Sequence, residues 1–154
     1  MFLPSRKSPQ SKGRFKVMAN SVCEILVTES ALQVPEQNRD FSAGAIVDFF
    51  GVVRKLEDGR EIAGIDYEAH VEMAQHQLRL IANTGIERFE LKWVLLHHRI
   101  GFVPTGEASL FLRVSASHRE AAFDASKWIV DELKKKVPIW KKPKYKTEIG
   151  RAHV

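Results

Sequence analysis

The 154-residue sequence contains a single cysteine, Cys23, and no apolar run near the ~18–20 residues of a membrane-spanning helix. One cysteine excludes an internal disulfide and every zinc site built on cysteine pairs, and it suits a reducing compartment. A soluble, cytoplasmic protein is expected. Other absences narrow the chemistry. The phosphate-cradling loop ending in Gly-Lys-Ser/Thr is missing, as is the Gly-x-Ser-x-Gly nucleophile elbow. His97 and His98 are adjacent in a predicted strand and point to opposite faces, while His70 and His76 stand six apart on a predicted helix. Neither pair chelates a metal, so no metal and no resident cofactor are expected.

Charge is unevenly placed. Residues 1–20 carry five basic groups and no acid, and residues 134–146 carry seven lysines and no acid. Those twelve are half of the 24 basic residues, whereas all 19 acids lie elsewhere, leaving the rest of the chain at −7. A mildly acidic body with two basic segments suggests a local anion site more than a general nucleic-acid surface. Residues 1–20 have little that could pack and read as a disordered basic leader ahead of one domain over 21–154.

Strand and helix signals alternate through that domain. Val22–Thr28 alternates as a strand does, and Ala31–Ser42 is polar and irregular. Ala45–Val53 and Ile62–Glu68 flank a Glu57-Asp58-Gly59 turn, a hairpin pattern. Residues 70–84 place Val71, Ala74, Leu78 and Ile81 on one helical face, with Gly85 as the expected stop. Leu91–His98 and Ala108–Ser115 read as strands around a Pro104-Thr105-Gly106 turn. A long helix follows from about His118 to Lys136, closed by Val137-Pro138, and Lys144–Ile149 reads as an edge strand. The expected class is α+β, antiparallel strands with two main helices.

The start of the second helix is the most informative stretch. Ser117 and Glu120 have capping-box spacing, and the free N–H groups of a helix start favour an anion. His118 and Arg119 add two side-chain donors there, where acids are the usual occupants. Arg119, Lys127 and Lys134 fall within roughly 80° of arc, away from the apolar side of Ala122, Ala125, Ile129 and Leu133. Further on, Pro138 and Pro143 stiffen a segment that Ile139 and Trp140 are expected to pin, holding Lys141 in place. A lysine beside apolar groups can act as nucleophile or general base with a lowered pKa. Cys23, in a predicted strand, reads as packing.

These residues carry a family resemblance. Gly44-Ala45 through Phe50-Gly51-Val52-Val53-Arg54, Tyr67-Glu68-Ala69, Met73-Ala74, His98-Arg99-Ile100-Gly101, Ser117-His118-Arg119 with Ala122-Phe123, and Leu133-Lys134 through Val137-Pro138-Ile139-Trp140-Lys141-Lys142 stand in an order that resembles the large, catalytic subunit of molybdopterin synthase. The resemblance implies an α/β-hammerhead fold and a homodimer of this chain. It also implies a small ubiquitin-like sulfur-carrier subunit on each end, a heterotetramer in all. The carrier's C-terminal Gly-Gly bears a thiocarboxylate, from which two sulfurs pass to cyclic pyranopterin monophosphate to give the dithiolene of molybdopterin. By motif match, Arg54, His118 and Arg119 would bind the substrate's phosphate and pterin, and Lys134 and Lys141 would be the catalytic lysines. Val52, Val53, Lys142 and Pro143 would occupy the same pocket. One position departs from the pattern: an acidic residue commonly follows the Trp-Lys-Lys motif, and here it is Pro143.

A dithiolene needs two sulfurs and this chain has one ordinary cysteine, so the sulfur is expected from a partner. The chain ends Arg151-Ala152-His153-Val154 and not in Gly-Gly, which reads as acceptor and not carrier. Two alternatives stay open. A non-catalytic scaffold of the same complex would bind the partner without turnover, although Arg54, His118, Arg119, Lys134 and Lys141 are all present. A basic nucleic-acid-binding protein would show affinity falling steeply with salt, and the acidic body speaks against it.

Overall fold

The computed structural model describes residues 18–19, 22–36 and 41–146. The leader expected over 1–20 lies outside these residues except for Met18–Ala19, and so does the end of the tail strand expected over 144–149. The elements are β1 (Met18–Ala19), β2 (Cys23–Thr28), β3 (Ala45–Val52), β4 (Leu56–Glu57), β5 (Arg60–Ala69), α1 (Val71–Phe89), β6 (Trp93–Arg99), β7 (Gly101–Pro104), β8 (Ala108–Ala116), α2 (Arg119–Lys136) and β9 (Ile139–Tyr145). The class is α+β with two main helices, as expected.

The larger sheet has the order β1-β2-β6-β8-β3. Its pairs are antiparallel except β2 with β6, which run parallel and are joined by a long connection through β3 at the far edge, the smaller sheet and α1. β6 and β8 are central and almost continuously buried, whereas the edge strand β3 is half exposed. Helices α1 and α2 cover one face. Ala74, Leu78 and Ile81 of α1, and Ala122, Ala125, Ile129 and Leu133 of α2, are buried against Ile25, Val27, Val94, Leu96, Leu112 and Val114. Each buried Leu or Ile contributes roughly 1.5–3 kcal/mol. Across the sheet, Arg113 holds Asp48 through two bonds of 2.7 and 2.9 Å and donates to the carbonyls of Pro35 and Glu36. That ties the irregular 31–36 segment to the sheet.

A smaller sheet packs beside the first. β5 is its centre, with β7 and β9 antiparallel to it and β4 forming a short hairpin with its start. Its core is Val53, Ile62, Ile65 and Val103, and Tyr67 packs against both cores. Gly101, at φ +81°, turns the chain from β6 into β7 and so from one sheet into the other. No helix of the described residues is long and apolar enough to cross a membrane.

Four local expectations are corrected. The Asp58-Gly59 turn forms with positive φ at both residues, but the strand entering it is β4, while β3 pairs with β8. Gly85 does not stop α1. The helix runs to Phe89 and closes on Glu90 in the left-handed region, and Gly85 is where Ile129 of α2 approaches most closely. β7 lies between β6 and the Pro104–Gly106 turn, where no strand was expected. The 139–145 segment is strand β9, held by its ladder to β5 and not by apolar pinning. Trp140 is 58% exposed.

Gly64, at the middle of β5, has no room for a side chain: a Cβ there would collide with the Val103 carbonyl and the Phe102 ring. Gly64→Ala is expected to destabilise the fold by about 1–3 kcal/mol, read as a lowered urea midpoint with unchanged slope.

Candidate functional site

The expected site residues fall into two groups. Val52 ends β3 and is exposed, Val53 is buried in the smaller core, and Arg54 follows on the surface. A β-bulge redirects this segment: Gly51 pairs with Leu110 and Val52 with Ala108, which leaves Ser109 as the extra residue. Lys141 lies on β9 opposite Tyr67, which on its other side faces Gly101 of β7. Lys134 is in the last turn of α2, the helix that folds back over β8 and β3 from the far end of the sheet. These residues gather at one end of the molecule.

His118 and Arg119 stand at the other end. They follow Ala116, which pairs with Ala45 at the start of β3. From that pair to Val52 is seven strand steps, about 23 Å at ~3.3 Å per residue. Along α2, Arg119 and Lys134 are separated by about 22 Å. One chain does not bring Arg54 and Arg119 to the same phosphate.

The helix start also differs from its expected form. The N-cap is His118, with extended backbone and no side-chain capping bond, so the Ser117–Glu120 spacing is one residue out of register for a capping box. The turn is instead fixed from β3. Gly44 donates to the Ala116 carbonyl at 2.9 Å, and a Cβ on Gly44 would collide with the Ser117 carbonyl. The first N–H groups of α2 therefore remain available beside the exposed His118 and Arg119 side chains.

Ion pairing sorts the lysines. Lys127 bonds Asp131 at 2.8 Å, Lys135 and Lys136 share Glu132 at 3.3 and 2.7 Å, Lys142 bonds Glu68 at 3.3 Å, and Lys146 lies 3.6 Å from Glu61. Lys127 is thus a paired surface residue and not part of a free basic edge. Among the described residues Lys134, Lys141 and Lys144 make no direct ion pair, although Asp131, bonded to Lys127, lies close enough to feel the Lys134 charge, and Arg54, His118 and Arg119 make none either. Strand alternation separates Lys141 from Lys142. Lys141 shares a face with Tyr67, whereas Lys142 shares one with Asp66 and Trp140, and half-buried Pro143 sits opposite Ile65.

A cavity of about 580 Å³ lies near Lys141, lined by Glu29, Asp66, Tyr67, Glu68, His70 and Trp140 among others. Its lining holds no lysine or arginine side chain, and one of its carboxylates, Glu68, is bonded to Lys142. Both strand histidines serve structure. His97 is bonded to Glu24 at 3.0 Å, and His98 Nδ1 donates to the Arg99 carbonyl at 2.8 Å with its ring edge-on to Tyr67. Cys23 is buried, and burial pushes its thiol up to about 11.

The MoaE protein family model matches residues 25–136. The molybdopterin synthase catalytic subunit of Pyrococcus abyssi is 46% identical over 101 residues, 66% of this chain and 68% of that one. The chain belongs to the MoaE family. With membership comes the activity the motifs implied, molybdopterin synthesis by an enzyme of molybdenum-cofactor assembly. The crystal structure of molybdopterin synthase from Staphylococcus aureus matches with a TM-score of 0.72 at 30% identity, over 79% of this chain and 90% of that one. The fold is also that of the Helicobacter pylori complex of subunits 1 and 2 of molybdopterin-converting factor, with a TM-score of 0.61 at 19% identity over 80% of this chain and 90% of that one.

His98 generates a pH dependence of stability. Burial lowers its pKa from 6.5 to about 4, so the unfolded chain binds a proton that the folded chain refuses. Stability is present above pH 6.5 and falls as the pH drops towards 4, by up to about 3 kcal/mol from this residue. Urea unfolding of wild type and His98→Leu at pH 7 and pH 4.5 checks it: the variant is expected to lose less stability between the two.

Proposed function

We propose that this chain moves two sulfurs from the thiocarboxylate of a small ubiquitin-like subunit onto cyclic pyranopterin monophosphate, at a site shared by two copies of the chain. The observation that carries this reading is the ion-pair pattern. In a lysine-rich stretch where Lys135, Lys136, Lys142 and Lys146 are neutralised by carboxylates, Lys134, Lys141 and Lys144 make no ion pair among the described residues, and of these three Lys134 and Lys141 are the two that the family motif carries. Both a thiocarboxylate and a phosphate are anions that unpaired lysines attract.

Roles follow from placement. Lys134 and Lys141 meet the thiocarboxylate and carry the proton transfers of the exchange. Each carrier delivers one sulfur, so two are needed. The thiocarboxylate sulfur bonds a substrate carbon as a C–O bond of the substrate breaks and its oxygen leaves protonated. Water then cleaves the carrier's own C–S bond, leaving its terminus a carboxylate. Arg54 binds the substrate by charge-assisted hydrogen bonds. Val52 and Val53 shape the wall beside it, and Lys142 and Pro143 continue the strand that presents Lys141. His118 and Arg119, with the helix start behind them, bind the phosphate of a substrate held by the other copy. The separation of about 23 Å along the sheet is what calls for that second copy. Exposed apolar side chains flank both half-sites: Phe41 and Phe123 near His118 and Arg119, Phe50 and Val52 near Arg54. Contact between two copies would cover them.

Cys23 is not the sulfur source, because its thiol is buried and kept protonated at neutral pH. The donor is the carrier, and a cytoplasmic setting suits a chain with a free thiol. No metal or resident cofactor enters this scheme.

Single-turnover conversion of cyclic pyranopterin monophosphate, with the purified chain and a thiocarboxylated carrier, tests the reading. Dithiolene product is expected only when both proteins are present. Lys134→Ala and Lys141→Ala are each expected to slow it by roughly 100-fold or more with the fold intact, while Cys23→Ala keeps near wild-type turnover. Near-normal activity in Lys134→Ala, or a stable complex with the carrier that makes no product, would contradict it.

A further inference from the structure

Arg54 makes no ion pair among the described residues, so its position depends on the backbone that precedes it. That backbone is bracketed by a single turn. The Val53 N–H donates to the Glu107 carbonyl at 3.0 Å, and the Val53 carbonyl accepts from the Gly106 N–H at 2.8 Å. Gly106 holds φ at +90°, which gives the turn its shape. The same turn is tied to the smaller sheet: the Thr105 N–H donates to the Ala63 carbonyl and its hydroxyl to the Ile62 carbonyl, each at 3.0 Å.

The remaining tie runs to the central strand β6. Arg99 closes β6, its side chain is 13% exposed, and its Nη1 donates to Glu107 Oε1 at 2.7 Å. Its Nε is buried without a hydrogen-bond partner, so Glu107 is the side-chain partner that orients this guanidinium. A continuous set of contacts thus leads from β6 through Arg99 and Glu107 to Val53 and Arg54. Glu107 itself is half exposed. The pair therefore does two things: it satisfies a largely buried guanidinium and it fixes the turn.

We infer that Glu107, held by Arg99, is a positioning residue that sets Arg54 for the anionic substrate. This rests on the substrate-binding role of Arg54 given above. The test is a double-mutant cycle in the full chain with thiocarboxylated carrier, measuring KM and kcat for cyclic pyranopterin monophosphate. Glu107→Ala is expected to lower the melting temperature, because it leaves the Arg99 guanidinium unpaired, and to raise KM about 5- to 10-fold with kcat nearly unchanged in the folded protein. Glu107→Gln keeps an acceptor oxygen for Arg99 and is expected to restore most of the loss. The double variant with Arg54→Ala is expected to be no worse than Arg54→Ala alone, because Glu107 acts through that residue. Additive losses, or a wild-type KM in Glu107→Ala while Arg54→Ala is impaired, would overturn the inference and leave the role of Arg54 standing. A wild-type KM in Arg54→Ala would overturn that role and the inference together.

Discussion

The antiparallel ladder between β3 and β8 sets what the rest of the molecule can do. It runs from Ala45 opposite Ala116 to Val52 opposite Ala108 and carries a segment of the proposed site at each end. At one end the Ser109 bulge releases Val52, Val53 and Arg54 towards the smaller sheet. At the other, the close approach of Gly44 to Ser117 fixes the turn into α2, where His118 and Arg119 sit. The ladder is stiff because β8 is central and buried, and its length keeps the two groups apart. A substrate that needs both must be met by two ladders.

Electrostatics makes the choice among chemically equal side chains. Seven lysines between 134 and 146 look alike in the sequence, and a charge run is ordinarily a solvated surface. Folding brings Glu61, Glu68 and Glu132 to four of them. What is left includes the lysine at the end of α2 and the one on the Tyr67 face of β9. The basic segment therefore keeps three unpaired lysines, Lys134, Lys141 and Lys144, among four neutralised ones, on an otherwise acidic body.

Much of this was legible beforehand. The apolar faces of α1 and α2 were readable from helical spacing, because burial in a two-layer fold follows the period directly. Arg54, His118, Arg119, Lys134 and Lys141, the residues of the proposed site, come from family motifs. What escaped were features set by tertiary approach. Gly85 resembles a helix stop but serves the contact with Ile129, and β7 is too short to show alternation. The Ser117–Glu120 spacing fits a capping box, yet Gly44 decides where the helix starts. The two-group layout of the site could not be read from spacing, since it depends on which strands pair. The Arg99–Glu107 link joins residues eight apart across a sheet junction, and no local pattern marks it.

Complementation between inactive copies tests the shared site most directly. Arg54→Ala and Arg119→Ala would be prepared separately, mixed under conditions that exchange subunits, and assayed with thiocarboxylated carrier. If each site takes Arg54 from one copy and Arg119 from the other, a mixed dimer regains one intact site of two. With half of the dimers mixed, activity should return to about one quarter of wild type. No recovery, in a mixture shown to exchange, would mean that each chain holds its whole site and would contradict the account.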